Sequence, residues 1–166
     1  MKGFSRYMDK SFDIEFITSA VRKYSGMIIR IAYNYTRNIA DSEDILQDVF
    51  VSLLSTPFIE NEEHLKAWLI RITINKSKDL LKSTRKKRTI PLDEAKNYYS
   101  EKTQIVLEEL AYLNIDDRTI VYLFYWEGYM AKEIGKMLKL KERAVLMRLS
   151  RARAKLKKLL EENIDG

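Results

Sequence analysis

The sequence predicts an all-α protein: two small helical domains joined by a flexible linker, the second containing a helix-turn-helix. Three observations carry this expectation. Only 5 Gly and 2 Pro occur in 166 residues, so long stretches lack the punctuation that many short strands would need. Apolar residues recur three and four apart in successive segments, the period of an amphipathic helix. Residues 89–102, TIPLDEAKNYYSEK, contain Pro91 and no sustained period, and so separate a domain over 1–88 from one over 103–166.

The first helix is read from Ile14, Ile17, Val21, Tyr24, Ile28, Ile31 and Tyr35, which share one face. Asn38–Asp41 interrupts it, and Asp41 followed by Asp44 resembles a helix N-cap with an acidic first turn. Ile45, Leu46, Val49, Phe50, Leu53 and Leu54 form the next stripe, which Pro57 stops. Residues 55–61 form a loop, and Asn61 caps a third helix with an apolar side of Leu65, Trp68, Leu69, Ile72 and Leu80. Its polar side holds Lys66, Arg71, Asn75, Lys78 and Lys82, and it runs into the basic residues 85–88. In the second domain one helix is expected around Ile105–Leu113 and another over Asp116–Trp126, ended by Gly128. A short helix near Ala131–Leu138, a turn at Leu138–Leu140 and a long helix near Glu142–Leu160 complete the chain.

Composition narrows the function. Hydrophobic residues make up 46% and charged residues 33%, enough of the former to bury a core. The absence of Cys excludes disulfides and thiolate metal sites. The longest apolar run, Ile120–Trp126, is far short of the roughly 20 residues of a membrane span, and the N-terminus lacks an apolar signal core. No membrane insertion and a cytoplasmic location are therefore expected. Charge is strongly segregated: residues 41–63 carry −7, 64–90 carry +8 and 131–160 carry +9 within a net +6. Two basic blocks on patterned helices favour a polyanionic partner over simple solvation. No cofactor is expected: His64 is the only His, and neither a glycine-rich phosphate loop nor a metal-ligand spacing occurs, so the chain reads as a binding protein and not an enzyme.

The last helix carries the sharpest signal. Val145, Leu149, Ala152, Leu156 and Leu159 form an apolar stripe, while Arg143, Arg148, Arg151, Arg153, Lys155 and Lys158 fill the remaining arc. The apolar face can dock while the N-terminal half enters a major groove, where the planar fork of Arg pairs with guanine or phosphate. Gly135 sits where the two helices of the motif must approach closely.

Three stretches in order resemble the extracytoplasmic-function (ECF) sigma factors of bacterial RNA polymerase, over about residues 20–160. In DSEDILQDVFVSLL at 41–54, Asp44, Gln47, Asp48 and Phe50 match the family's polymerase-binding pattern, which implies docking on the beta-prime clamp helices of the polymerase core. In 64–88, Trp68, Leu69, Ile72, Asn75 and Asp79 match the family's promoter-melting helix. That resemblance implies a minus-10 and melting surface of Phe58, Asn61, Arg71, Asn75, Lys78 and Lys82, with Phe58, Ile59, Glu60 and Asn61 of the loop as candidates for reading a flipped base. The helix-turn-helix, ending RLSRARAKLKKLL, is similar to the family's minus-35 reader, and implies DNA contacts from Lys141, Arg143, Leu146, Arg148, Arg151 and Arg153. Arg143 and Arg148 are the expected base-edge or adjacent phosphate contacts, with Arg151 and Arg153 on the backbone or solvated. The implied partners are the polymerase core and promoter DNA; an anti-sigma factor is common in the family, although nothing in the chain identifies one.

The motif departs from the family at four places. Met130, Lys139 and Lys141 stand where the family usually has Ser or Thr, Gly, and Ser or Thr, and Leu146 replaces a usual Lys. Loss of a side-chain cap acceptor typically costs about 1 kcal/mol at each of Met130 and Lys141. Leu146 cannot bind phosphate but can touch a thymine methyl. Two other readings remain open: a stand-alone helix-turn-helix regulator, which would form a homodimer on a palindromic site, and a helical interaction module that binds no DNA.

Overall fold

The structure, a computed structural model, describes residues 14–56, 58–83 and 110–164, and among these every regular element is an α-helix. They are α1 (Ile14–Thr36), α2 (Ile39–Leu54), α3 (Glu62–Ser83), α4 (Ile115–Tyr125), α5 (Ala131–Leu138) and α6 (Glu142–Ile164). The chain divides into two compact units, Met1–Tyr98 and Tyr99–Gly166. The expected linker 89–102, the basic run 85–88 and most of the helix expected around Ile105–Leu113 lie outside the described residues.

In the first unit α1, α2 and α3 pack on one another. Ile28, Ile29 and Tyr33 of α1, Val49 and Leu53 of α2, and Leu65, Leu69 and Ile70 of α3 are almost wholly buried. From Ile31 to Thr36, α1 is buried on every side, as befits a helix enclosed by its neighbours. Its first turns differ from the expected face: Ile14 is 86% exposed and Val21 is exposed, while Phe16, Ala20 and Tyr24 point inward. The two stripes have the same period, and only packing against neighbouring helices distinguishes them.

The α1–α2 corner also departs from the expected cap. Arg37 takes a left-handed backbone conformation (φ 51°), and Asn38, not Asp41, is the N-cap: its side chain accepts from the Asp41 backbone N–H at 3.0 Å. Asp41 thereby falls in the first turn, where its charge suits the helix dipole. Buried Thr36 and Ser42 close the corner, with Ser42 Oγ donating to the Asn38 carbonyl at 2.8 Å.

Helix α2 ends at Leu54, three residues before Pro57. Within α3 the buried side includes Ile70, Thr73, Ile74 and Ser77 in addition to Leu65 and Leu69. Thr73 and Ser77 bury their hydroxyls without penalty because each donates to the carbonyl one turn earlier, at 2.6 and 2.7 Å. Tyr24 and Lys23 of α1 both reach Glu62 Oε1 at the start of α3.

In the second unit α4 and α5 pack against α6 and against each other. Asn114 caps α4 by accepting from the Asp117 N–H at 2.9 Å. After α4, Gly128 adopts φ +73°, and the Tyr129 N–H returns to the Leu123 carbonyl at 3.0 Å, turning the chain into α5. Leu110, Ile120, Leu123, Ile134, Val145 and Leu149 form the centre of this core.

Candidate nucleic-acid interface

The helix-turn-helix is set by one close approach. Gly135 of α5 lies so near the turn that an added Cβ would meet the Leu140 carbonyl oxygen at 2.6 Å, while the Leu140 N–H donates to the Gly135 carbonyl at 2.8 Å. The turn occupies 139–141, one residue later than the expected 138–140, because α5 continues through Leu138. Lys139, standing where the family usually has Gly, takes the left-handed conformation itself (φ 56°). Met130 supplies no side-chain cap hydrogen bond, but Glu133 reaches back to accept from the Met130 N–H at 2.8 Å, which satisfies one exposed donor of α5.

On α6, Val145, Leu149 and Ala152 face the core and are almost fully buried. At 3.6 residues per turn the opposite side of the N-terminal half holds Arg143, Met147, Ser150 and Arg151, all exposed, with Leu146 beside them. Lys141 and Arg153 are exposed as well. Arg148, like Arg143 an expected base-edge or phosphate contact, is placed differently from Arg143. Its guanidinium turns toward α4 and pairs with Asp117 at 3.3 Å and Asp116 at 3.8 Å, leaving its side chain 29% exposed. Met147 and Ser150 escaped a search for basic residues, although the phase of the Val145–Leu149–Ala152 stripe was enough to find them.

The expected minus-10 residues fall in two groups. Arg71, Asn75 and Lys82 are exposed and Lys78 is half-buried, and their spacing of 4, 3 and 4 makes one stripe on α3. Phe58 and Asn61 belong to the loop before that helix. Phe58 is 51% exposed, whereas neighbouring Ile59, a candidate base contact from the sequence, is fully buried and anchors the loop in the core. Asn61 accepts from the His64 N–H at 2.8 Å as the expected cap of α3, and His64 Nδ1 accepts from the Glu60 N–H at 3.1 Å. The His64 ring lies 6.4 Å from that of Phe58, centroid to centroid. The sole His therefore organises the loop from which Phe58 projects.

Of the expected polymerase-facing residues, Asp44, Gln47 and Asp48 are exposed on α2, while Phe50 is buried at 8% exposure and belongs to the packing of the unit. The outward face gains Val51 at 62% exposure and Leu54 at 60%, one and two turns beyond Gln47. Leu54 was expected in the core stripe. The face is thus acidic at its start and apolar toward its end. Among the described residues no group of three or more His, Cys, Asp or Glu could hold a metal ion, and no helix is long and apolar enough to cross a membrane.

Comparison with known proteins finds two sigma-70 regions in order along the chain. Residues 20–87 match the model of sigma-70 region 2 and residues 103–156 that of sigma-70 region 4, so the two together cover most of the chain. The chain is 28% identical to the ECF RNA polymerase sigma factor SigM of Mycobacterium tuberculosis, over 84% of this chain and 74% of SigM. It is 30% identical to "Probable RNA polymerase sigma factor RfaY" of Xanthomonas campestris pv. campestris over 83% of its length, while spanning only 38% of that longer relative. Among solved structures, CnrH in complex with the cytosolic domain of CnrY superposes with a TM-score of 0.63 at 26% identity, covering 90% of each chain. With both sigma-70 regions present in order on this all-helical frame, the chain belongs to the ECF sigma factors of bacterial RNA polymerase.

Proposed function

We propose that this sigma factor works by binding alone, in the cytoplasm, through three surfaces of its own. The outward face of α2, with Asp44, Gln47, Asp48, Val51 and Leu54, docks on the beta-prime clamp helices; its acidic start suits a basic partner, and its apolar end supplies area to bury. The α3 stripe of Arg71, Asn75, Lys78 and Lys82, with Phe58 in the preceding loop, engages the minus-10 element as its strands separate. An exposed aromatic ring on a pinned loop can stack on an unstacked base, and the cations of α3 track the phosphates beside it. The exposed N-terminal half of α6, carrying Arg143 and Arg151, enters the major groove at the minus-35 element together with Lys141 of the turn before it, with Arg153 on the backbone. Residues 1–88 and 103–166 act as the two DNA-engaging domains, with 89–102 as the linker.

The observation that carries this reading is the Gly135–Leu140 contact, which holds α5 and α6 at helix-turn-helix spacing with the basic face of α6 outward. CnrH, solved with the cytosolic domain of CnrY, supports a further partner of regulatory kind, an anti-sigma factor, for this chain also. The test is transcription by sigma-free core polymerase plus the purified chain on a library with random upstream DNA. Chain-dependent transcripts sharing two upstream elements are expected. If core is not redirected and the chain alone retains a palindromic duplex as a dimer, the stand-alone regulator replaces this account.

A further inference from the structure

The reading face of α6 is not uniformly basic. Met147 is 54% exposed in the second turn, with Arg143 one turn before and Arg151 one turn after, and Leu146, 47% exposed, lies about 100° round the helix at the edge of the same face. Neither is needed for the core, which Val145 and Leu149 already fill at 0% and 1% exposure. Single exposed apolar residues are ordinary. One at the centre and one at the edge of a cationic, groove-entering surface have a narrower use. The flanking Lys141, Arg143, Arg151 and Arg153 draw a phosphate backbone to both edges of the patch, so what faces Leu146 and Met147 is the floor of the groove. The apolar group displayed on that floor is the C5 methyl of thymine.

Arg148 strengthens the argument by its withdrawal. Its partner Asp117 is only 14% exposed and is itself held by the Asn114 amide at 3.0 Å, so the guanidinium belongs to a fixed cluster at the α4 N-terminus. Removing Arg148 from the reading set leaves Arg143, Leu146, Met147, Ser150 and Arg151 to face the bases.

We propose that Leu146 and Met147 are specificity-determining residues that select thymine in the upstream element by contacting its methyl groups, with Arg148 serving as a positioning residue through Asp117. This rests on the minus-35 role of α6 proposed above. It differs from a generic cationic reader because it assigns discrimination to a group that carries no charge and no hydrogen bond.

The test removes the methyl groups from the DNA and leaves the protein intact. On a promoter recovered from the random library, each upstream thymine is replaced in turn by uracil, and transcription by core plus the full chain is measured. At one or two neighbouring positions a loss of about fourfold per methyl is expected, the factor for withdrawing one methyl from an apolar contact. With the Leu146→Ala, Met147→Ala double variant, the same uracil templates should be used as well as the thymine ones. Uracil without effect at every upstream position overturns the proposal. So does a uracil loss of equal size in the double variant, or an upstream element without A·T pairs. If the chain gives no transcript with core at all, the sigma reading fails and the proposal with it, an outcome distinct from faithful transcription that ignores the methyls.

Discussion

Arg148 Nη1 stands 3.3 Å from Asp117 Oδ1, tying the middle of α6 to the first turn of α4. The pair is partly buried, and Asp117 also accepts from Asn114, so it is worth more than an open surface bridge, for which the usual range is about 0–1 kcal/mol. Arg148→Ala should destabilise the second unit by roughly 1 kcal/mol, a fall of about 4–8 °C in its melting temperature for a domain of this size. Promoter use should weaken evenly across sequences, with the preferred upstream letters unchanged. Arg148→Lys should restore part of both losses. A change of preferred base in the Arg148→Ala library would return this residue to the reading face.

Gly135→Ala tests the helix-turn-helix itself. The new Cβ would stand 2.6 Å from a backbone oxygen, which cannot rotate away as a side-chain tip would. The α5–α6 turn must open, at a cost of about 1–3 kcal/mol typical of overpacking. Minus-35-dependent transcription should fall beyond what the lost stability explains, because the presentation of α6 changes as well. Urea unfolding of the variant gives the first quantity, and promoter titration gives the second.

Lys139→Gly should act in the opposite direction. Lys139 is exposed and holds φ 56°, a conformation that costs a side chain roughly 1–2 kcal/mol. Gly removes that strain but adds about 0.4–1 kcal/mol of unfolded-state entropy. A net stabilisation of about 0.5–1 kcal/mol is expected, read as a rise in the melting temperature. The cost of this one departure from the family pattern thus lies in the backbone conformation of Lys139 itself.

Much of this molecule was legible in its sequence, and the exceptions have identifiable causes. Among the described residues, the helices α2 to α6 appear where periodicity places them, although α2 is capped by Asn38 and not Asp41, and α1 matches in extent but not in phase at its start. Phase failed there because Phe16–Ala20–Tyr24, spaced 4 and 4, and Ile17–Val21–Tyr24, spaced 4 and 3, both fit a helical face, and burial depends on which side the neighbouring helices cover. Thr73 and Ser77 were overlooked as core because a hydroxyl bonded to its own helix behaves as a small apolar group. In the candidate interface the surroundings of a residue were less legible than its position along the helix. Arg148 resembles a reader but is claimed by Asp117, and Phe50 belongs to a binding motif but packs inward. The Arg148–Asp117 pair joins residues 31 apart in the chain and leaves no local pattern.

Adjacent loop residues separate folding from promoter opening. Ile59 is fully buried, so Ile59→Ala should cost about 2–5 kcal/mol and lower the melting temperature of the first unit steeply. Phe58 is 51% exposed, so Phe58→Ala should leave that temperature nearly unchanged. The same Phe58 variant should reduce permanganate reactivity of minus-10 thymines in the polymerase complex, by the factor of roughly 5–150 that corresponds to about 1–3 kcal/mol of lost stacking. His64→Ala should fall between the two: it removes the acceptor of the Glu60 N–H and the ring beside Phe58, so opening should weaken while the core holds. Full promoter opening by the Phe58 variant would remove that ring from the melting surface.

The face of α2 gives the last test, because its residues divide cleanly by exposure. Val51 at 62% and Leu54 at 60% exposure contribute little to the fold, so Val51→Asp or Leu54→Asp should lower stability by no more than about 1 kcal/mol, the usual cost of an anion in a helix's last turn. Each would place a charge in the apolar part of the proposed polymerase contact, where burying it without a partner is costly. Affinity for core should drop at least tenfold, about 1.4 kcal/mol, as measured by fluorescence anisotropy of the labelled chain. Phe50→Ala should show the reverse profile. It removes a buried ring at a cost of about 3–5 kcal/mol in stability, while any loss of core binding should follow the unfolded fraction alone. If Val51→Asp binds core as well as the parent chain does, the docking surface is limited to the acidic start of the helix at Asp44, Gln47 and Asp48.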